Sequence, residues 1–123
     1  MKFNPQLKQQ IEKFKDYIII VEGKKDIQSL KSLGFQKVYA LHIPSVPIKE
    51  RAEQILLTAT KSDKICILTD LDKKGKQLYE ILKSVLQELG ARLDSTLRGL
   101  LLKSKVSHIE GIPKFIEKLE NIQ

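Results

Sequence analysis

The chain switches between helical spacing of its apolar residues and short unbroken apolar runs, and the order of the two predicts the fold. Asn4 followed by Pro5 reads as a cap and first turn, and Leu7, Ile11 and Phe14 put one apolar face on a helix that ends near Asp16. Tyr17 to Val21 is almost wholly apolar and rich in β-branched side chains, the pattern of a parallel strand covered on both faces. After the loop Glu22 to Lys25, Asp26 caps a short helix with Ile27, Leu30 and Leu33 inward, and Gly34 stops it. Val38 to Leu41 is a second strand, and His42 to Pro47 is a proline-bracketed loop that cannot be helical. A helix from about Ile48 to Thr60 buries Ala52, Ile55, Leu56 and Ala59, and a turn at Ser62-Asp63-Lys64 feeds a third strand, Ile65 to Thr69. A longer helix, Lys76 to Leu89, presents Leu78, Ile81, Leu82, Val85 and Leu89, and Gly90 terminates it.

Beyond Gly90, Asp94-Ser95-Thr96 caps a short helix that carries Leu97, Leu100 and Leu101 together with Arg98 and Lys103. Val106 to Ile109 reads as a short final strand, and Gly111-Ile112-Pro113 opens a last helix whose face is Phe115, Ile116 and Leu119. No repeat, low-complexity segment or linker interrupts the pattern. The order α-β-α-β-α-β-α-α-β-α predicts an α/β fold: one domain over residues 1–123, with a parallel sheet of about four strands sandwiched by helices.

Two of the apolar runs end in the same way. Ile18-Ile19-Ile20-Val21 stops at Glu22-Gly23-Lys24-Lys25-Asp26, and Cys66-Ile67-Leu68-Thr69 stops at Asp70-Leu71-Asp72-Lys73-Lys74-Gly75-Lys76. Strand ends and helix N-termini converge at that edge of an open α/β sheet, where ligands bind. Residues two apart in an extended strand point to one side, so Asp70 and Asp72 can share a spot. Two adjacent carboxylates raise one another's pKa unless a cation neutralises them, and hard oxygen donors suit Mg²⁺ or Mn²⁺. Glu22 either completes the metal site or serves as general acid or base. Lys24, Lys25, Lys73, Lys74 and Lys76 would repel a lone cation; a polyphosphate or nucleic-acid backbone resolves the conflict, with metal on the acids and lysines on neighbouring phosphates. The competing reading of Glu22, Asp70 and Asp72 is that of solvated acids capping helices, and Asp26 reads as an N-cap rather than a ligand.

Composition narrows the setting. The length of 123 residues supports a core of its own, and the single cysteine, Cys66, sits in an apolar run, which excludes a disulfide framework and a cysteine zinc site and fits a reducing cytoplasm. No apolar segment approaches the roughly 18 residues of a membrane span, and Met1 to Asp16 is too polar for a signal peptide, so a cytoplasmic location is expected. Twenty-two basic residues against 15 acidic ones give a formal charge of +7, which makes a polyanionic partner plausible alongside a surface chosen for solubility or a hot habitat. The excess is lysine, a point charge on phosphate without the fork that reads base edges, so a backbone reader is expected rather than a sequence reader. Arg92 and Arg98 either track that backbone or face solvent; His42 and His108 lack a metal-ligand spacing; Tyr17, Tyr39 and Tyr79 form no stacking platform.

Val21-Glu22-Gly23-Lys24-Lys25-Asp26 and Leu68-Thr69-Asp70-Leu71-Asp72-Lys73-Lys74-Gly75 together resemble the two signatures of a Toprim domain, shared by topoisomerases, bacterial-type primases, certain nucleases and the bacterial maturase of 5S ribosomal RNA. The resemblance covers Tyr17 to about Leu89, and Lys105 to Gly111 is similar to the end of small stand-alone Toprim proteins, so that residues 90–123 form a family-like extension. It implies a Rossmann-like three-layer fold, Glu22 as general acid or base in making or breaking a phosphodiester, and Asp70 and Asp72 holding Mg²⁺, with Mn²⁺ as the alternative ion. Lys24, Lys73, Lys76 and Arg98 are the accompanying phosphate-binding candidates. Where several members carry a further acid after the paired aspartates this chain has Lys74 and Lys76, which puts a second fully ligated metal in doubt. No topoisomerase tyrosine domain or primase zinc module accompanies the signatures. The expectation is a metal-dependent nuclease or RNA-processing enzyme, RNA favoured over DNA, working with a second copy or a protein partner. The alternative is a non-catalytic Toprim-type module that binds RNA within a ribonucleoprotein.

Overall fold

Four consecutive apolar residues can all be buried only in the middle of a sheet that is covered on both sides. Ile18, Ile19, Ile20 and Val21 are each at most 1% exposed, and they form the central strand, β1 (Ile18–Val21). A computed structural model describes residues 4–122; residues 1–3 and 123, the two ends of the 1–123 domain expected from sequence, lie outside the described residues. Helix α1 (Leu7–Ile11) runs through a 3₁₀ turn into β1, and α2 (Lys24–Ser32), β2 (Lys37–Ala40), α3 (Ile48–Leu56), β3 (Ile65–Ile67), α4 (Lys73–Glu88), α5 (Thr96–Lys103) and α6 (Ile112–Ile122) follow. The strands lie in the order β2-β1-β3, all parallel, with Ile19 opposite both Val38 and Cys66.

The period of two along β1 divides the core. Ile19 and Val21 pack with Leu7, Leu30, Leu97 and Ile116, from α1, α2, α5 and α6. Ile18 and Ile20 pack on the opposite face with Ala52 and Ile55 of α3 and Leu82 and Leu86 of α4. The result is the three-layer α/β arrangement expected. Cys66 is buried in the first of these layers, where burial pushes its thiol up to about 12 and leaves it an inert filler. No described helix is long and apolar enough to cross a membrane.

Several sequence expectations need correction. The sheet has three strands rather than about four, because Val106 to Ile109 is not a strand. Its ends, Val106 and Ile109, are buried, but its backbone is spent on the loop after β3, through the Leu71 N–H to the Ser107 carbonyl at 2.8 Å. The outer edge of β3 is met instead by a single bridge between Ile65 and Leu93. Helix α3 stops at Leu56 rather than Thr60, where Thr58 turns its hydroxyl onto the Ile55 carbonyl at 2.7 Å. Helix α4 starts three residues before the expected Lys76, because Asp72 caps it. On α4, Ile81 is 52% exposed and Leu86 holds the core position in its stead. Asp26 is the third residue of α2, and Gly23 takes the cap position.

Candidate metal centre at the strand ends

With the order β2-β1-β3, the chain leaves β1 for one side of the sheet and later returns to its other side, so the carboxyl ends of β1 and β3 form the topological switch point. Glu22 directly follows β1, and the loop Leu68 to Asp72 follows β3. Three carboxylates meet across this junction, and each is anchored by one oxygen to a backbone amide. Glu22 Oε2 accepts the Asp70 N–H at 2.7 Å, Asp70 Oδ1 accepts the Ile109 N–H at 3.0 Å, and Asp72 Oδ1 accepts the Gly75 N–H at 2.8 Å. The last is the N-cap bond of α4, worth about 1 kcal/mol in its own right.

A fourth group joins them. His108 Nε2 lies 3.4 Å from Asp72 Oδ2, and one ligand atom each from Asp70, Asp72 and His108 fall within 4.8 Å of one another. Glu22 is not part of that set; its Oε2 is bonded to the Asp70 amide. The chemistry of the donor set, two carboxylates and an imidazole, suits a divalent ion. Two ligands held at about 2.1 Å from one ion are separated by roughly 3.0–3.4 Å at octahedral to tetrahedral angles, the spacing seen between His108 and Asp72.

Beneath the loop lies Arg98 on α5, 5% exposed. Its Nη1 donates to the Thr69 carbonyl at 2.7 Å and to Thr69 Oγ1 at 3.1 Å, its Nη2 donates to the Asp70 carbonyl at 3.2 Å, and its guanidinium stacks 4.3 Å from the Tyr79 ring centre. Burial pulls its pKa down, against Tyr79, Cys66, Glu22 and Asp70, which favour the cation. Arg98 is thus turned into the fold, not out to solvent, and it holds the carbonyls of Thr69 and Asp70 where the loop leaves β3. Thr69 extends this support by donating its hydroxyl to the Gly75 carbonyl at 2.7 Å. A Cβ at Gly75 would fall 1.9 Å from the Asp70 carbonyl oxygen, so the loop and the first turn of α4 touch backbone to backbone.

Lys24 and Lys25 are the first residues of α2, and Lys73, Lys74 and Lys76 lie in the first turn of α4; all five are exposed. No carboxylate among the described residues pairs with any of them. Cations at a helix N-terminus oppose its dipole, each by about 0.3–1 kcal/mol, so these lysines are not placed for helix stability. Asp26 is 8% exposed and accepts the Gly23 N–H at 3.2 Å. Burial raises its pKa most, with Asp70, Glu22 and Glu110 adding to the rise and the Gly23 bond opposing it. His42 reaches the same edge through its backbone, whose N–H bonds the Glu22 carbonyl at 3.1 Å. Arg92 is exposed and gives its carbonyl to the Ile65 N–H at 2.9 Å, at the opposite end of β3.

Sequence reasoning brought Glu22, Asp70 and Asp72 to one edge but passed over His108, which is isolated in sequence. Its one signal was position: it lies between Val106 and Ile109, whose burial fixes the segment, in a stretch already set apart by resemblance.

Comparison with known proteins agrees with this geometry. The Toprim domain family matches residues 17–109, beyond the stretch to Leu89 on which the signatures were recognised and through His108. A UPF0292 protein of Pyrococcus horikoshii is 34% identical over 104 residues, covering 83% of this chain and 75% of its own length. One from Thermococcus sibiricus is 34% identical over 108 residues, covering 86% and 82%, and one from Methanocaldococcus jannaschii is 27% identical over 103 residues, covering 81% and 78%. A solved structure of a protein from Aquifex aeolicus superposes with a TM-score of 0.70 at 24% identity, covering 89% of this chain and 98% of that one, a likeness of fold. A Toprim domain points to metal-binding, nucleic-acid-related function, and Asp70, Asp72 and His108 are a group able to hold a metal. Signatures, fold and relatives agree that the chain belongs to the Toprim family, alongside the UPF0292 proteins of archaea.

Proposed function

We propose that this chain, one Toprim domain over 1–123, is a divalent-metal-dependent phosphodiester enzyme acting on a nucleic-acid backbone, a small cytoplasmic nuclease or RNA-processing protein. The observation that carries the reading is the tethering of three carboxylates from two strand ends. Each has one oxygen fixed by a backbone N–H, at 2.7, 3.0 and 2.8 Å, which sets its direction without consuming its second oxygen. Mere capping acids would explain Asp72 but not Glu22, which caps no helix and reaches across from β1 to the β3 loop.

Asp70 and Asp72 would hold Mg²⁺ or Mn²⁺, whose charge would neutralise phosphate oxygens and lower the pKa of a bound water. Glu22, outside that ligand group, is left for proton transfer to or from the reacting oxygen. Lys24, Lys73 and Lys76 bind the phosphates on either side. The site lies open, with the Asp72 and His108 side chains 42% and 55% exposed, which suits a polymer passing over an edge better than a small molecule enclosed in a cavity. RNA is the substrate to screen first, with a second copy or a protein partner supplying the selectivity that so small a domain lacks.

The test uses amide substitutions, because Gln at 22 and Asn at 70 and 72 keep an oxygen for the tethering amide and remove only the charge. Glu22→Gln is expected to lower turnover of an RNA or DNA substrate about 10²–10⁴-fold with nucleic-acid binding retained. Asp70→Asn with Asp72→Asn is expected to abolish Mg²⁺ and Mn²⁺ binding in calorimetry. A protein that binds nucleic acid tightly and cleaves no RNA or DNA offered to it, with Glu22→Gln making no difference, would be a binding module instead.

A further inference from the structure

Asp70 and Asp72 alone would make a hard oxygen site, equally suited to Mg²⁺ and Mn²⁺. His108 changes the chemistry of that site. It is delivered by a short segment pinned on both sides: the Ser107 carbonyl accepts the Leu71 N–H at 2.8 Å, and the Ile109 N–H donates to Asp70 Oδ1 at 3.0 Å. Val106 and Ile109, 2% and 0% exposed, bury the ends of the segment while the imidazole stays out over the loop. Its position is therefore dictated by backbone groups bonded to the acidic loop itself, at Leu71 and at the Asp70 carboxylate.

The ring is oriented as well as placed. Nδ1 lies 2.9 Å from Ser107 Oγ, and in the tautomer whose Nδ1–H donates to that hydroxyl the lone pair is on Nε2, the atom facing Asp72. A hydrogen-bonded partner on the far nitrogen is the usual way a metal-binding histidine has its tautomer and plane fixed. The 3.4 Å between Nε2 and Asp72 Oδ2 is long for a charge-assisted hydrogen bond, which settles near 2.7–2.9 Å, and an ion pair this exposed contributes at most about 1 kcal/mol. Holding the ring there has little value as a salt bridge. It has value as one edge of a coordination sphere.

Resting on the metal-site reading above, we propose that His108 is the third protein donor of this centre, through Nε2, and that its nitrogen makes the site select a first-row transition ion of the Mn²⁺ class over Mg²⁺. Imidazole strengthens binding of such ions and does little for Mg²⁺, which holds to oxygen and water. The segment Ser107–Ile109 thereby becomes part of the site, closing the loop after β3 from the α6 side.

The experiment titrates the chelator-stripped full chain with Mn²⁺ and with Mg²⁺ by calorimetry, and records pulsed EPR of the Mn²⁺ form. Wild type is expected to bind Mn²⁺ at least about tenfold more tightly than Mg²⁺, with nitrogen hyperfine coupling in the EPR spectrum. His108→Ala should close that gap by weakening Mn²⁺ alone and should erase the coupling; Ser107→Ala, which frees the ring, should weaken Mn²⁺ by less. Mn²⁺ binding that disappears in Asp70→Asn with Asp72→Asn yet shows no nitrogen coupling and ignores His108→Ala overturns this inference and leaves the metal-site reading intact. Absence of any saturable Mn²⁺ or Mg²⁺ binding overturns both.

Discussion

Gly75 owes its identity to contact rather than to conformation. A methyl group there would meet the Asp70 carbonyl at 1.9 Å and its carbon at 2.5 Å, and both are backbone atoms with no rotamer to yield. Gly75→Ala is therefore expected to cost about 3 kcal/mol or more in chemical denaturation, and to weaken metal binding by lifting the loop off α4. At Gly23 a Cβ meets nothing within 4 Å, and its φ of −147° is open to any residue. Gly23→Ala should cost no more than about 1 kcal/mol, the difference between Gly and Ala at a helix cap, so any loss of nucleic-acid affinity beyond that would assign the open space to the ligand. In sequence the two glycines looked alike, each following an apolar run and an acid; the difference lies in a contact across the loop that spacing does not encode. The acids Asp26 and Asp94 separate in the same way. Asp26 has its pKa raised, chiefly by burial, so its contribution to stability is full below the ordinary 3.8 and is lost as pH rises through the higher folded value. Asp94 has its pKa lowered, by side-chain and backbone bonds to Thr96, so its contribution is full above 3.8 and is lost as pH falls. In metal-free thermal melts from about pH 3 to about pH 7, Asp26→Asn should match or exceed wild type at neutral pH and lose that advantage in acid. Asp94→Asn should fall below wild type at neutral pH and converge with it in acid.

At the level of elements, the strands and the helices around them were legible because their pattern is local. Buried apolar runs give β1 and β3, and the helical stripes give α2, α3 and α4 to within a few residues. What could not be read was where polar backbone groups find partners. Val106 to Ile109 has the composition of a strand, yet its Ile109 amide and Ser107 carbonyl are committed to Asp70 and Leu71, and its Val106 amide and His108 carbonyl to Leu101 and Gly111. Arg98 shows the same limit from the other side: on a short leucine-rich helix it reads as a surface cation, and only the fold reveals that α5 carries it beneath the acidic loop, packed on Tyr79. Arg98→Ala should leave the Thr69 and Asp70 carbonyls without their charged donor and cost about 3 kcal/mol. The telling measurement is local, since faster hydrogen exchange at Thr69 to Asp72 and weaker Mn²⁺ binding are expected although Arg98 touches neither acid's side chain. Arg98→Lys should recover less than half of either loss, because a single ammonium cannot bond two carbonyls and stack at once.

Across the whole molecule, the formal charge of +7 is less informative than where its lysines stand. Lys8, Lys15 and Lys37 pair with Glu120, Glu12 and Asp63 away from the site. Lys24, Lys73 and Lys76 occupy the first turns of α2 and α4, where the helix dipoles oppose them and a row of phosphates would welcome them. The arrangement sets stability against binding, and that opposition can be measured in one variant. Replacing Lys24, Lys73 and Lys76 together by Gln should raise stability by about 1 kcal/mol or slightly more, as three unfavourable dipole interactions disappear. The same variant should bind nucleic acid more weakly, and the slope of log affinity against log salt should shrink by about 2–3, roughly 0.7–0.9 for each phosphate no longer neutralised. Lys37→Gln, at an ion pair on the amino end of β2, away from the carboxyl ends that carry the acids, should leave that slope unchanged. A variant that gains stability and keeps both affinity and slope would make these lysines a solubility surface. The expected pairing of greater stability with weaker, less salt-sensitive binding would mean that the chain accepts less stable helix ends in exchange for holding a phosphate backbone against its acids.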